Sequence, residues 1–117
     1  MKKRPVAVTI LSWIYIAVGA IGLAYHVNQF RTQAYHPADI WIALVGVVAI
    51  VAGVYMLHGD NWARWLAIVW IAFHVAISFL NGWQPVLVHV IIAAGIVWLL
   101  FQAEARAWFR PKAAAEI

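Results

Sequence analysis

The sequence predicts an all-α polytopic membrane protein, a four-helix up-down-up-down transmembrane bundle forming one domain over residues 1–117. Three observations carry that expectation. Residues 6–25, 40–57, 65–80 and 85–102 contain no Asp, Glu, Lys or Arg. Apolar residues make up 67% of the chain and charged residues 10%, too few to give each helix of a water-soluble domain its polar face. The apolar runs are also continuous, whereas strands that span a bilayer alternate polar and apolar residues. Helices are then the structure that satisfies every backbone N–H and C=O in lipid.

The elements follow in order. A hydrocarbon core of about 30 Å takes roughly 20 helical residues. The four runs hold 20, 18, 16 and 18 residues, and their flanks complete the shorter ones. The expected spans are residues 6–26, 40–57, 63–80 and 85–103. Arg64 lengthens the third by snorkelling its head group to the interface. Pro5 suits the first turn of helix one. Residues 27–39 form the longest loop, with His36 and Pro37, and Asp39 is the expected N-cap of helix two. Gly59 closes helix two in the left-handed conformation, and Asp60 or Asn61 caps helix three. Asn81 and Gly82 end helix three, and Pro85 starts helix four. Connections this short make sequential helices antiparallel neighbours.

Charge sets the expected orientation. Lys2, Lys3, Arg4, Arg64, Arg106, Arg110 and Lys112 fall on one side, and Arg31 alone on the other. This bias places both termini in the cytoplasm. The net charge of +4 therefore serves topology and anionic head groups, not nucleic acid, because the basic residues sit at membrane boundaries. Residues 1–4 and the apolar run after them share features with a signal peptide, with Gly22-Leu23-Ala24 as a small-x-small site. The run is long for a signal core and reads as a retained span. The chain has no cysteine, which excludes disulfides, thiolate metal sites and thiol redox chemistry.

Small and polar residues mark the expected inner faces. Ser12, Tyr15, Gly19, Gly22 and His26 follow one another at spacings of three or four and share one stripe of helix one. Gly46, Ala49 and Gly53 mark helix two. His74, Ser78 and Asn81 mark helix three. Gly19, Gly22, Gly46 and Gly53 are the expected helix-packing positions, and His26, Ser78 and Asn81 the expected polar interior. Among the eight tryptophans, Trp41, Trp83, Trp62, Trp65 and Trp108 fit interfacial belts. Trp13, Trp70 and Trp98 lie deeper, as packing residues or as the wall of a cofactor or lipid pocket.

Histidine is the titratable side chain found at membrane depth. His74 and His89 lie at similar depth beneath the outer surface, roughly 9 Å and 6 Å below their helix ends. His26 and His36 lie nearer that surface, and His58 on the other side. The bland expectation is a neutral imidazole bonded within the bundle. The sharper one makes His74 or His89 a ligand to haem or chlorophyll. Neighbouring helices pack about 8–10 Å apart, too close for a bis-histidine haem between them, so a single axial histidine is the form considered. His26 and His74 face across the bundle but differ in depth by about two turns. A zinc or copper site lacks regular ligand spacing, and a proton relay lacks a charged partner inside the spans. No nucleophile motif, phosphate loop or carboxylate pair points to an enzyme.

The segment Asn61-Trp-Ala-Arg-Trp-Leu-Ala-Ile-Val-Trp-Ile-Ala-Phe-His-Val75 resembles one that recurs in small bacterial four-span integral membrane proteins with no assigned function. The opening Arg4-Pro-Val-Ala-Val-Thr-Ile-Leu11 and the closing Trp108-Phe-Arg110 are similar to the ends of such chains. The resemblance implies a bacterial cytoplasmic membrane and the four-helix topology, and it implies no activity. The expected function is a non-enzymatic structural or accessory subunit in the lipid bilayer, a homo-oligomer or part of a larger membrane complex. The alternative is a tetrapyrrole-binding membrane protein.

Overall fold

The computed structural model describes residues 3–32 and 38–109, and their regular structure is helical throughout. Helix α1 is Val6–Thr32, α2 is Ala38–Leu57, α3 is Asn61–Ser78, α4 is Trp83–Leu100 and α5 is Ala103–Trp108. A 3-10 turn, Phe79–Asn81, links α3 to α4. Each of the first four helices contains a stretch long and apolar enough to cross a membrane.

The boundaries differ from expectation at several helix ends. α1 runs on to Thr32, which shortens the expected loop. His36 and Pro37 lie outside the described residues. α2 begins at Ala38, so Asp39 falls within its first turn instead of capping it. α4 begins at Trp83, with Pro85 inside its first turn, where a missing N–H breaks no helical bond. At the other end α4 stops at Leu100. Phe101 (φ −107°) and Gln102 (φ −67°, ψ 155°) leave helical geometry, and the short α5 follows.

Gly59 ends α2 as the sequence predicts. Its φ of +83° is left-handed. Its N–H bonds the Met56 carbonyl and the Asp60 N–H bonds the Tyr55 carbonyl, both at 3.1 Å. These are the paired bonds of a Schellman motif, which satisfy carbonyls the helix leaves open. Asp60 takes the N-cap position of α3, although its side chain does not bond the first-turn amides.

α1 and α2 make the closest contact. A Cβ on Gly19 would run into the Gly46 carbonyl oxygen and come within 2.7 Å of Ile50 Cγ1. A Cβ on Gly53 would lie 2.6 Å from the Ser12 carbonyl oxygen. Glycine lets the backbones meet here, the usual device where lipid supplies no hydrophobic drive. α2 packs on α3 and α3 on α4, whereas α1 and α4 touch sparsely.

The core fills one half of the bundle. Val8, Leu11 and Tyr15 of α1 meet Ala52 and Met56 of α2, Ala63 and Ala67 of α3, and Leu100 of α4. The Tyr15 hydroxyl donates to the Ala67 carbonyl at 2.8 Å and ties α1 to α3. Ser12 is fully buried among these residues, and its Oγ has no hydrogen-bond partner.

The same half is closed by chain ends and arginines. Phe109, just past α5, is 1% exposed. Trp108 Nε1 donates to the Met56 carbonyl at 2.9 Å. Arg4 Nη1 donates to the Leu57 carbonyl at 3.0 Å, covering the last turn of α2. Arg64 Nη2 donates to Asn61 Oδ1 at 2.7 Å, and its guanidinium lies 4.8 Å from the Phe101 ring centroid and 5.6 Å from that of Phe109. Arg64 is thus a cation held among aromatic rings.

The outward surface is apolar. Only 11% of the α4 span is buried within the chain. Ile21, Val69, Ile91 and Trp98 are all exposed, an arrangement that lipid tolerates and water does not. Trp13 and Trp98 belong to this surface, at 56% and 66% exposure, and do not line the interior.

Candidate ligand cavity

The other half of the bundle is hollow. A cavity of about 520 Å³ opens between all four long helices. Tyr15 and Trp70 form its floor, their ring centroids 5.2 Å apart. Trp70 is fixed by its Nε1–H, which donates to the Val45 carbonyl of α2 at 2.9 Å. The walls are apolar, and Ile14 and Val18 of α1 and Ile92 of α4 line the cavity while remaining about half exposed. The cavity therefore opens sideways, at the sparse α1–α4 seam.

Three histidines from three helices reach this space: His26 of α1, His74 of α3 and His89 of α4. The His74 and His89 ring centroids lie 6.4 Å apart, with planes 19° from parallel. His74 also packs on Trp70, centroids 3.9 Å apart. His74 Nδ1 lies 2.8 Å from the Trp70 carbonyl, and His89 Nδ1 lies 2.7 Å from the Pro85 carbonyl. A carbonyl has no proton to give, so each bond assigns the proton to Nδ1. Both Nε2 atoms are then lone-pair acceptors. The same bonds hold each ring in place, the role a backbone carbonyl plays behind ligating histidines. His26 stands edge-on to Tyr25, centroids 5.4 Å apart, and its tautomer is not fixed in this way.

The other expected positions divide between contact and cavity. Gly19, Gly46 and Gly53 lie at the α1–α2 contact. Gly22 faces the hollow, and a Cβ there would meet nothing within 4 Å. Ser78 is buried, and its Oγ donates to the Val75 carbonyl at 2.6 Å. Asn81 is exposed in the 3-10 turn, so the interior stripe of α3 stops at Ser78. His26 and His74 were expected two turns apart, yet the cavity is long enough to touch both. Tyr15 lies on the stripe read from helix one, and Trp70 takes the pocket-wall role the sequence left open for it. Ile42, Ile92 and Ile96 are lining residues the sequence did not single out, because nothing separates them from their apolar neighbours.

Among the described residues no Ser, Thr, Asp, Glu, Lys or Arg lines the cavity. Among the described residues no three metal-ligating side chains converge. The arrangement offers neutral imidazoles on an apolar wall, which suits binding and lacks a nucleophile with its base.

Four helices long and apolar enough to cross a membrane suggest a multi-pass membrane protein. No family model, no characterised protein and no solved structure matches the chain.

Proposed function

We propose that this is a non-enzymatic membrane protein, an accessory subunit that holds a lipid-soluble molecule in the hollow half of its bundle. In this reading the helices run up-down-up-down with both termini in the cytoplasm of a bacterial cell. Short turns and the basic residues clustered with the termini support that orientation. The cavity then lies in the leaflet away from the cytoplasm. The subunit works self-associated or docked in a larger membrane complex.

The observation that carries the reading is the side-opening cavity. At about 520 Å³ it has the size of a small-molecule site, roughly 300–1,000 Å³. Its mouth faces the surface where the solvent is lipid, so its occupant arrives through the bilayer.

The test fills the hollow. Gly22→Phe places a ring where a Cβ meets no neighbour. Wild-type protein in nanodiscs is expected to retain lipophilic molecules, detected by extraction and mass spectrometry, and to take up a small hydrocarbon. Gly22→Phe is expected to lose both. Wild-type protein that retains nothing and takes up no hydrocarbon overturns the reading. A detergent-corrected mass of one protomer, with no co-purifying partner, overturns the accessory role.

A tetrapyrrole is the second reading, supported by the Nε2 lone pairs that His74 and His89 present. One of them would serve as the axial ligand to the metal. A preparation that stays colourless after haem is supplied overturns it.

A further inference from the structure

The polar atoms of the cavity are sorted by kind, and the sorting selects a ligand. Among the described residues five lining side chains carry a donor; four of these are already used, and the fifth is the ring N–H of His26, toward the end of α1. Tyr15 donates to Ala67, Trp70 to Val45, His74 to Trp70 and His89 to Pro85, all through backbone carbonyls at 2.7–2.9 Å. What His74 and His89 show a ligand is a pair of acceptors. Their rings lie 6.4 Å apart on neighbouring helices, so one small molecule can meet both.

That wall rejects several ligand classes. Among the described lining residues an anion would meet two lone pairs and no Lys or Arg. A bare metal cation would find no carboxylate among those residues to balance it, at a large desolvation cost. A metal held in a macrocycle is neutralised by its own ring but occupies one imidazole and leaves the other unpaired. A carbonyl compound sets acceptor against acceptor. A hydroxyl compound satisfies both nitrogens.

Resting on the cavity reading above, we infer that the site takes a lipid-soluble ring compound bearing hydroxyl donors, and that it prefers a quinol-type molecule to the matching quinone. The ring lies on Trp70 and Tyr15, and each hydroxyl donates to an Nε2 of His74 or His89. Any tail passes out through the α1–α4 seam, between Val18 and Ile92. The preference belongs to binding alone, and the pair of histidines reads the redox state of the molecule by its protons.

The experiment uses three probes of one shape: tetramethyl-para-benzoquinol, its quinone, and tetramethylbenzene. Binding to full-length protein in phosphatidylcholine nanodiscs is measured by anaerobic equilibrium dialysis against empty nanodiscs. The quinol is expected to bind about tenfold or more tighter than either other probe, the discrimination that one or two hydrogen bonds supply. His74→Phe with His89→Phe is expected to erase the difference and keep tetramethylbenzene binding, which shows that the variant is folded. Nitrogen-15 NMR of labelled histidine is expected to show Nε2 accepting a hydrogen bond on quinol addition. Quinone binding as tight as quinol overturns the inference, as does a preference that survives the double substitution. Equal binding of all three probes overturns it while leaving the cavity reading standing. No binding of any probe overturns both. A Soret shift with haemin that His89→Phe removes, without quinol preference, overturns it in favour of a metal centre.

Discussion

Gly19 and Gly22 lie three residues apart on one stripe of α1, yet they predict opposite outcomes for the same substitution. Alanine in place of glycine favours a helix by about 1 kcal/mol. At Gly22 nothing opposes that gain, since a Cβ there meets no atom within 4 Å. At Gly19 the new carbon runs into the Gly46 carbonyl oxygen, and Ile50 Cγ1 would be 2.7 Å away. The Ile50 side chain can turn aside, but the carbonyl belongs to the backbone of α2. Relief requires the two helices to part, and overpacking of this kind costs about 1–3 kcal/mol. The expected net effects are about 1 kcal/mol of stabilisation for Gly22→Ala and a loss of up to about 2 kcal/mol for Gly19→Ala. Unfolding in mixed micelles of increasing sodium dodecyl sulfate, followed by near-ultraviolet circular dichroism, measures both. Equal midpoints for the two variants would show that α1 and α2 do not meet at Gly19 and Gly46.

Three further outcomes follow from the packed half, all read in the same unfolding assay. Ser12→Ala removes a buried hydroxyl that has no partner and is expected to stabilise the protein by about 1 kcal/mol; a loss would mean that Oγ is bonded. Tyr15→Phe leaves the Ala67 carbonyl without its donor and is expected to cost about 1–2 kcal/mol, so an unchanged midpoint would refute the α1–α3 bond. Phe109→Ala empties the pocket behind α5 and is expected to cost about 3–5 kcal/mol and to expose the chain near Trp108 to protease, whereas wild-type resistance would place that ring elsewhere.

The four long helices were legible because a single physical demand, the absence of charge over about 20 residues, writes itself into the sequence. Gly59 was legible because only a left-handed residue ends a helix with those two bonds. α5 was not. Its six residues include Glu104 and Arg106 and carry no long apolar run; they are held by Trp108, whose partner Met56 lies 52 positions away, and by Phe109 beside Arg64 of α3. The site was legible in its histidines and not in its shape. Spacing along α1 put Ser12, Tyr15, Gly19, Gly22 and His26 on one face. It could not say that Ser12 is packed away, that Tyr15 and Gly19 meet other helices at the edge of a hollow, and that Gly22 and His26 face it. That division depends on where the large side chains of facing helices stop, a tertiary fact. Trp13, Trp70 and Trp98 look alike as letters, and only Trp70 has the Val45 carbonyl to hold it inward.

The latch formed by Trp108 and Phe109 gives the chain an order of completion. A ribosome delivers α1 and α2 first, and their glycine contact needs nothing that comes later. α3 and α4 can each dock on the helix just made. The floor of the packed half, however, waits for residues that follow α4. A nascent chain holding all four long helices but released before Trp108 would leave Met56 and Leu100 uncovered. In this protein two residues beyond α4 decide whether the packed half is closed.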